Sequence, residues 1–302
     1  MNLYANLHTH STHSDGGYTP TQLARAAKAE GYGAIALTDH DTTTGYSEFS
    51  NACKELGLEV IFGTEFSSPS KLLPKLDGVR QEDNSFHIVG FDYDPEYPQM
   101  KAYLAELGAR KTEQTRLLFE RGVRLGLIKG INWDEVVALN SDKNWLSGTQ
   151  LFGAMHANGL VSEADRVPLS RDIFGIHRNE VAVQTVFKQE YEIIQLIRDA
   201  GGIPIVAHPH DQLQYIDALV EMGLQGLESL HGSMTEEEHH AALRIAYDKN
   251  LYISGGSDHR GLCSGYYERY EDPTQCPKYV PPLSLGTTKE HFEEIKNRKL
   301  NR

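Results

Sequence analysis

The chain is short of several things, and each shortage excludes a class of protein. No apolar run approaches the roughly 18 residues that a bilayer-spanning helix requires, and no basic stretch leads into an apolar one at the N-terminus. The expectation is therefore a cytoplasmic protein with no membrane partner. Cysteine is scarce. Cys53, Cys263 and Cys276 are an odd number with no CxxC spacing, which fits reduced thiols and not a disulfide framework. Neither GxGxxG nor GxxxxGK(S/T) occurs, so a nucleotide cradled by a glycine-rich loop is not expected. A GxSxG elbow, which would expose a serine nucleophile, is also missing. Positive charge is in deficit, with 29 Lys and Arg against 42 Asp and Glu and a formal charge of −13. Such a chain is poorly suited to stable duplex nucleic acid binding, which depends on neutralising phosphates. A small phosphorylated molecule in a locally positive pocket stays compatible.

What the chain does have is histidine, 14 in 302 residues, against a mean hydropathy of −0.46 that suits a globular fold. His8, His10, His13 and Asp15 crowd into NLHTHSTHSDGG at residues 6–17, directly after the short apolar run Leu3–Leu7. From there a short apolar strand, a polar link and an amphipathic helix recur. Leu3–Leu7, Ala34–Leu37, Glu59–Phe62 and Phe86–Phe91 read as strands, with helices at about Thr19–Glu30 and Gly45–Leu56. Residues 95–182 break this pattern with a long charged helix, Ala102–Leu125, and read as a helical insertion domain. The pattern resumes with a helix at about Glu190–Ala200 and a strand in GGIPIVAHPH. Strands at Leu224–Leu230 and Leu251–Ile253 follow, and a Pro- and Tyr-rich tail wraps the surface. Strand–helix alternation with short links predicts an α/β fold with a parallel sheet. A closed barrel formed by residues 1–94 and 183–302 fits better than an open sheet.

In such barrels reactive side chains sit at the C-terminal ends of the strands. The first strand ends in His8 and His10 with Asp15 in its loop, the second in Asp39 and His40, and the third in Glu65. The fifth ends in His208 and His210, the sixth in Glu228 and His231, and the seventh in Asp258 and His259. Six strand ends of seven thus carry metal-binding residue types. His8 and His10, two apart on a strand, face the same way and can grip one ion. Mixed imidazole and carboxylate suits Zn, Mn or Fe, and the number of donors implies two or three ions.

The stretches HTHSTHSDG, ALTDHD, GTEF, FHIVGF, GGIPIVAHP and GGSDH together resemble the PHP (polymerase and histidinol phosphatase) family, across about residues 1–91 and 190–260. The chain is most similar to stand-alone members acting on nucleoside bisphosphates and short oligonucleotides. The resemblance implies a distorted seven-stranded TIM-like barrel with three divalent ions (Mn, Fe or Zn). It also implies that His8, His10, Glu65 and Asp258 hold the first ion, and Asp15, His40 and His259 the second. Glu65 would bridge to a third ion on His87 and His208. His87 opens its strand, and only the resemblance promotes it from a core or edge histidine to a ligand.

Departures from the family pattern are specific. His259 follows Asp258 directly, where the family has one residue between them, and Arg110 has Glu113 where a second arginine is usual. The family's Arg-Pro-His turn is replaced by SGTQLFGAMH. His231 stands where relatives have a small or polar residue, and is a candidate substrate contact. Arg110, Arg116 and Arg260 are candidates to grip a second phosphate through the guanidinium fork.

Asp15, Glu65 and Asp258 are the expected catalytic carboxylates. Clustered ions lower the pKa of a bridging water toward ~7 and neutralise phosphate oxygens, so the expected reaction is hydrolysis of a phosphomonoester by in-line attack. Histidinol phosphate as substrate, an amidohydrolase-type C–N hydrolase and a non-catalytic metal-binding module are the alternatives.

Overall fold

The computed structural model describes residues 2–74, 84–175, 177, 180–258 and 285–300. Strands β1 (Leu3–Asn6), β2 (Ala34–Leu37) and β3 (Glu59–Pro69) are joined by helices α1 (Pro20–Glu30) and α2 (Tyr46–Leu56). Helix α1 starts where its sequence says it should. Thr19 and Gln22 form a reciprocal capping box, Pro20 occupies the first turn, and Gly31 ends the helix at φ 93.

Strand β4 (Ser85–Phe91) departs from the expected parallel sheet. It pairs antiparallel with both neighbours, β3 and β5 (Ile203–Val206). Parallel pairing needs a crossover, usually a helix, and among the described residues no helix lies between β3 and β4. Beyond β4 come α3 (Pro98–Arg124), α4 (Trp133–Ala138), α5 (Gly148–Ala157), α6 (Glu163–Ile173) and α7 (Glu190–Asp199). After β5 the chain alternates through α8 (Ile216–Glu221), β6 (Gly226–Leu230), α9 (Glu236–Asp248) and β7 (Tyr252–Gly255).

The expected count of seven strands becomes eight among the described residues. A two-residue strand, β8 (Thr287–Thr288), pairs antiparallel with β1 at the end of the order β7-β6-β5-β4-β3-β2-β1-β8. The two sheet ends then meet. Leu7 N–H donates to Gly255 O at 3.2 Å, and Gly255 N–H donates to Thr287 Oγ1 at 2.8 Å. Gly256 lies so close to His8 that a Cβ there would overlap it, so glycine is what lets the seam shut beside the first histidine. The result is a nearly closed, distorted TIM-like barrel.

Ala5, Ala34, Ala36, Ile61, Val89, Phe91 and Ile205 share one apolar cluster with Phe292 and Ile295 of helix α10 (Lys289–Asn297). Lys296 pairs with Glu59 at the start of β3, and Arg298 with Asp92 just past the end of β4. Both contacts lie at the end of the barrel opposite the histidines, so the described part of the tail closes the base.

Helix α3 serves two cores. Met100, Tyr103, Leu104 and Leu107 pack with Ile193, Ile194 and Ile197 of α7, while Leu118 and Phe119 pack with Val136, Leu151, Phe152 and Ile173 of the shorter helices. Those helices reach the rim of the barrel through a few polar contacts. Gln150 Nε2 donates to Ser14 O at 2.6 Å, Thr42 Oγ1 to Asn144 Oδ1 at 2.8 Å, and Lys111 Nζ to Asp41 Oδ2 at 2.6 Å. No described helix is long and apolar enough to cross a membrane.

Candidate metal centre

The loop after β1 is shaped by its own polar residues. Thr9 turns away from the two histidines and donates to Ala36 O at 2.6 Å, which leaves His8 and His10 on the opposite side. Asp39 accepts from Ser11 N–H (2.7 Å), Ser11 Oγ (2.6 Å) and Ser14 Oγ (2.5 Å), so this strand-end acid organises the loop that carries Asp15. His40 bridges Glu65 in parallel register, which sets the second and third strand ends level. His87 joins them because β4 is reversed: it pairs with Ser67, so the start of β4 lies at the rim where the parallel strands end. His208 (φ 28) and Asp258 (φ 50) leave their strands in left-handed backbone, a costly conformation that concentrates at functional sites.

All these elements converge on Glu65, which is fully buried. Its Oε2 lies 3.2 Å from His8 Nε2, 3.1 Å from His10 Nε2 and 3.2 Å from His40 Nδ1. Its Oε1 lies 2.9 Å from His87 Nδ1 and 3.1 Å from His208 Nε2. Asp258 Oδ1 is 3.1 Å from His10 Nε2, and Asp15 is 3.6 Å from His10 and 3.9 Å from His40. Glu228 Oε2 accepts from His8 Nδ1 at 3.1 Å and from the His208 backbone N–H at 2.8 Å. A carboxylate on Nδ1 keeps the proton there and aims the lone pair of Nε2 at the centre, as is usual for metal-bound histidines.

Burial opposes charge throughout the cluster. Against it, the Glu65 and Glu228 charges lift His8 well above its ordinary value, and the adjoining Asp258 and Glu65 carboxylates lift His10 to about 9. Glu65 is held well below the usual carboxylate range, against its burial, by the surrounding histidines, while burial drives His40 down to about 3. Side chains alone leave this arrangement unsatisfied. His8 Nε2, His10 Nε2, His40 Nδ1 and Glu65 Oε2 are buried without a hydrogen-bond partner among the described residues. Divalent cations remove the conflict, because facing lone pairs become ligands of a shared ion. Donor atoms 3.1–3.2 Å apart also match the edge, about 3.3 Å, of a tetrahedron with metal–nitrogen bonds of about 2.0–2.1 Å. The sets His8–Glu65–His208, His8–His10–Asp258 and His10–His40–Glu65 each bring three donor atoms within 4.8 Å of one another. The residues present therefore fit divalent cations.

Other candidates lie elsewhere. His13 is buried against Thr44 (2.9 Å) and Asp142 (3.6 Å), and His210 is half-buried beside Asp211. Arg110 pairs with Glu106 in a groove of about 770 Å³ between α3 and α7, which none of the expected ligands lines. Arg116 pairs with Glu113 and Glu120. His259 and Arg260 lie outside the described residues.

Among the described residues the cation lining a cavity at this rim is Lys111, half-buried on the inward stripe Leu104–Leu107–Lys111–Thr115–Leu118 of α3 and 4.1 Å from the centre of the Trp145 ring. That stripe, spaced three and four apart, was the available signal, and it also turns Arg110 and Arg116 outward. Lys111 lines a cavity of about 270 Å³ whose floor is Asp15, His40 and His87 and whose walls include Trp145, Phe174 and Phe187. Glu228 was visible in the sequence as a strand-end acid, but its pairing with His8, just after β1, was not.

Comparison with known proteins agrees with this geometry. The PHP domain model matches residues 6–271. The chain is 28% identical over 268 residues to a 5'-3' exoribonuclease of Haemophilus influenzae, covering 85% of this chain and 90% of that one. It is 26% identical over 264 residues to the phosphoribosyl 1,2-cyclic phosphate 1,2-diphosphodiesterase of Eggerthella lenta (86% and 95% covered). It is 27% identical over 263 residues to the 3',5'-nucleoside bisphosphate phosphatase of Chromobacterium violaceum (84% and 86% covered). A solved structure from Bifidobacterium adolescentis, assigned as a metal-dependent phosphoesterase, superposes with a TM-score of 0.72 at 26% identity over 100% of this chain and 98% of that one. With the match running from β1 to beyond the end of β7, the chain belongs to the PHP domain family and is a metal-dependent phosphoesterase.

Proposed function

We propose that the enzyme releases phosphate from a phosphomonoester in the cytoplasm, using three divalent ions (Mn, Fe or Zn). The substrate is a small phosphorylated metabolite, a nucleoside bisphosphate or the 5' end of a short oligonucleotide. The observation that carries this reading is the cavity of about 270 Å³ that opens onto Asp15, His40 and His87. It is near the lower limit for ligand pockets, so it admits one nucleotide-sized group and no duplex. Aromatic walls and a lysine suit a base or sugar attached to a phosphate. The relatives named as an exoribonuclease and a nucleoside bisphosphate phosphatase point the same way.

In this reading His8, His10, Glu65 and Asp258 hold one ion, Asp15, His40 and His259 a second, and Glu65, His87 and His208 a third. Bound there, the ions supply an acidified water and neutralise phosphate oxygens. The chain does the rest. Glu228 fixes the tautomer of His8, and Lys111 carries positive charge to the cavity wall. Asp258, 20% exposed, turns its Oδ2 away from His10 and can hold the proton released as water attacks. Residues 95–182 act as a helical domain over the barrel made by 1–94 and 183–302, and supply the wall that faces the leaving group.

The test is metal analysis of the purified protein, followed by phosphate release from a nucleoside 3',5'-bisphosphate, a 5'-phosphorylated short RNA, histidinol phosphate and a ribose cyclic phosphate. Release from one of the first two, abolished by His8→Ala, supports the proposal. A protein that carries its ions yet hydrolyses none of the monoesters contradicts it.

A further inference from the structure

His231 follows β6 and is 5% exposed. Its Nδ1 accepts the backbone N–H of Ser233 at 3.1 Å, and the Ser233 hydroxyl lies 2.8 Å from the same nitrogen. A backbone amide can only donate, so Nδ1 keeps its lone pair, and the proton of the neutral ring sits on Nε2. That Nε2 is buried with no hydrogen-bond partner. It lies 3.9 Å from Asp258 Oδ2, and the ring centre is 4.9 Å from that of His208 and 5.7 Å from that of His8. An N–H donor is therefore aimed into the metal-binding rim, and among the described residues nothing lies within hydrogen-bond distance to receive it.

His8, Glu228 and His231 come close enough to suggest a further cation. Two of the three are already engaged, since His8 Nδ1 and Glu228 Oε2 bond each other at 3.1 Å. The third, as an Nε2–H ring, has no lone pair to offer. Leaving a buried donor unmade is unfavourable, and no described residue supplies the acceptor, so the geometry favours one that arrives with the substrate. The acceptors that come to this rim during the reaction are phosphoryl oxygens.

We infer that His231 is a substrate-binding hydrogen-bond donor and not a metal ligand: its Nε2–H takes a non-ester oxygen of the phosphoryl group, beside Asp258. The inference rests on the phosphomonoesterase reading above for the identity of the acceptor. Ser233 is the positioning residue, because its backbone N–H sets which nitrogen carries the proton.

The first test is long-range ¹H–¹⁵N NMR of the zinc-loaded protein labelled at histidine, with the His231 signals identified by their loss in His231→Gln. A proton on Nε2 and a bare Nδ1 are expected, and the opposite tautomer overturns the proposal. The second compares two variants in binding of inorganic phosphate and turnover of p-nitrophenyl phosphate. Glutamine places an amide N–H near the position of Nε2, whereas leucine fills the space with no donor. His231→Gln should stay within about threefold of wild type for phosphate, and His231→Leu should bind it about 10- to 100-fold more weakly, as for loss of a hydrogen bond to a charged group. Both should keep the wild-type metal content. Loss of an ion in either variant makes His231 a ligand and overturns the proposal, and equal weakening in both makes the residue structural and does the same. If the wild type binds phosphate with this variant pattern but cleaves no monoester, the monoesterase reading fails and the donor assignment stands.

Discussion

Changing Glu228 to glutamine replaces one carboxylate oxygen by an amide nitrogen at nearly constant volume. The carboxylate is 2% exposed, and its Oε2 receives both His8 Nδ1–H at 3.1 Å and the His208 backbone N–H at 2.8 Å. Glutamine can keep its oxygen on the backbone donor, but it cannot present a charged acceptor to His8. The His8 ring then keeps only a neutral acceptor, which holds its proton on Nδ1 less firmly, and Nε2 becomes a poorer ligand. Carboxylates behind metal-bound histidines are worth about 10- to 100-fold in metal affinity, which is about 1.4–2.8 kcal/mol. Because the pair is buried, salt should not erase the effect. The assay is calorimetric titration of the metal-stripped protein with zinc or manganese, for wild type and Glu228→Gln, with thermal unfolding as a control for the fold. The weakening should fall on the ion held by His8. Metal affinities within twofold of wild type would refute the role given to Glu228.

Three further outcomes are expected. Lys111→Met strands the buried Asp41 carboxylate and should cost about 3–5 kcal/mol in urea unfolding, whereas Arg116→Ala breaks only surface pairs with Glu113 and Glu120 and should cost less than about 1 kcal/mol. Burial raises the Glu30 carboxyl from 4.5 to about 7, so between those values the folded chain keeps a proton that the unfolded chain gives up. Its stabilising contribution is therefore full below about 4.5 and lost as pH rises through 7. Glu30→Gln should stabilise the protein at pH 8 by about 1 kcal/mol after solvent screening and be neutral at pH 4.5. Cys53 is fully buried between α1 and α2, and burial raises its thiol to about 12. In a Cys263→Ser, Cys276→Ser variant it should react with a disulfide reagent only after unfolding, and rapid labelling of the native protein would contradict the packing.

The readable parts of the fold were those controlled by local pattern. Strand β2 falls where Ala34–Leu37 predicts it, and α1 is marked by Thr19, Pro20 and Gly31. The convergence of His8, His10, His40, Glu65, His208 and Asp258 followed from one rule, that parallel strands end at a common rim. His87 escaped that rule because strand direction is not written in alternation, and an apolar run reads the same both ways. A polar stretch in place of a helical pattern between the third and fourth strands was the hint of a reversal. Arg110 and Arg116 were named on α3 for the guanidinium fork, although the helical phase puts Lys111 inside and Arg116 outside. The role of Glu228 depends on a contact across 220 positions with His8, which no local reading supplies.

The central claim is that the Glu65 carboxylate is shared between divalent cations gathered by distant strand ends. Anomalous diffraction at the manganese, iron or zinc edge, on crystals grown with that metal, tests it most directly. Peaks are expected on both sides of Glu65, one within about 2.0–2.2 Å of an oxygen facing His8 and His10 and one near the oxygen facing His87 and His208. Crystals of active protein with no anomalous peak within bonding distance of Glu65 would contradict it.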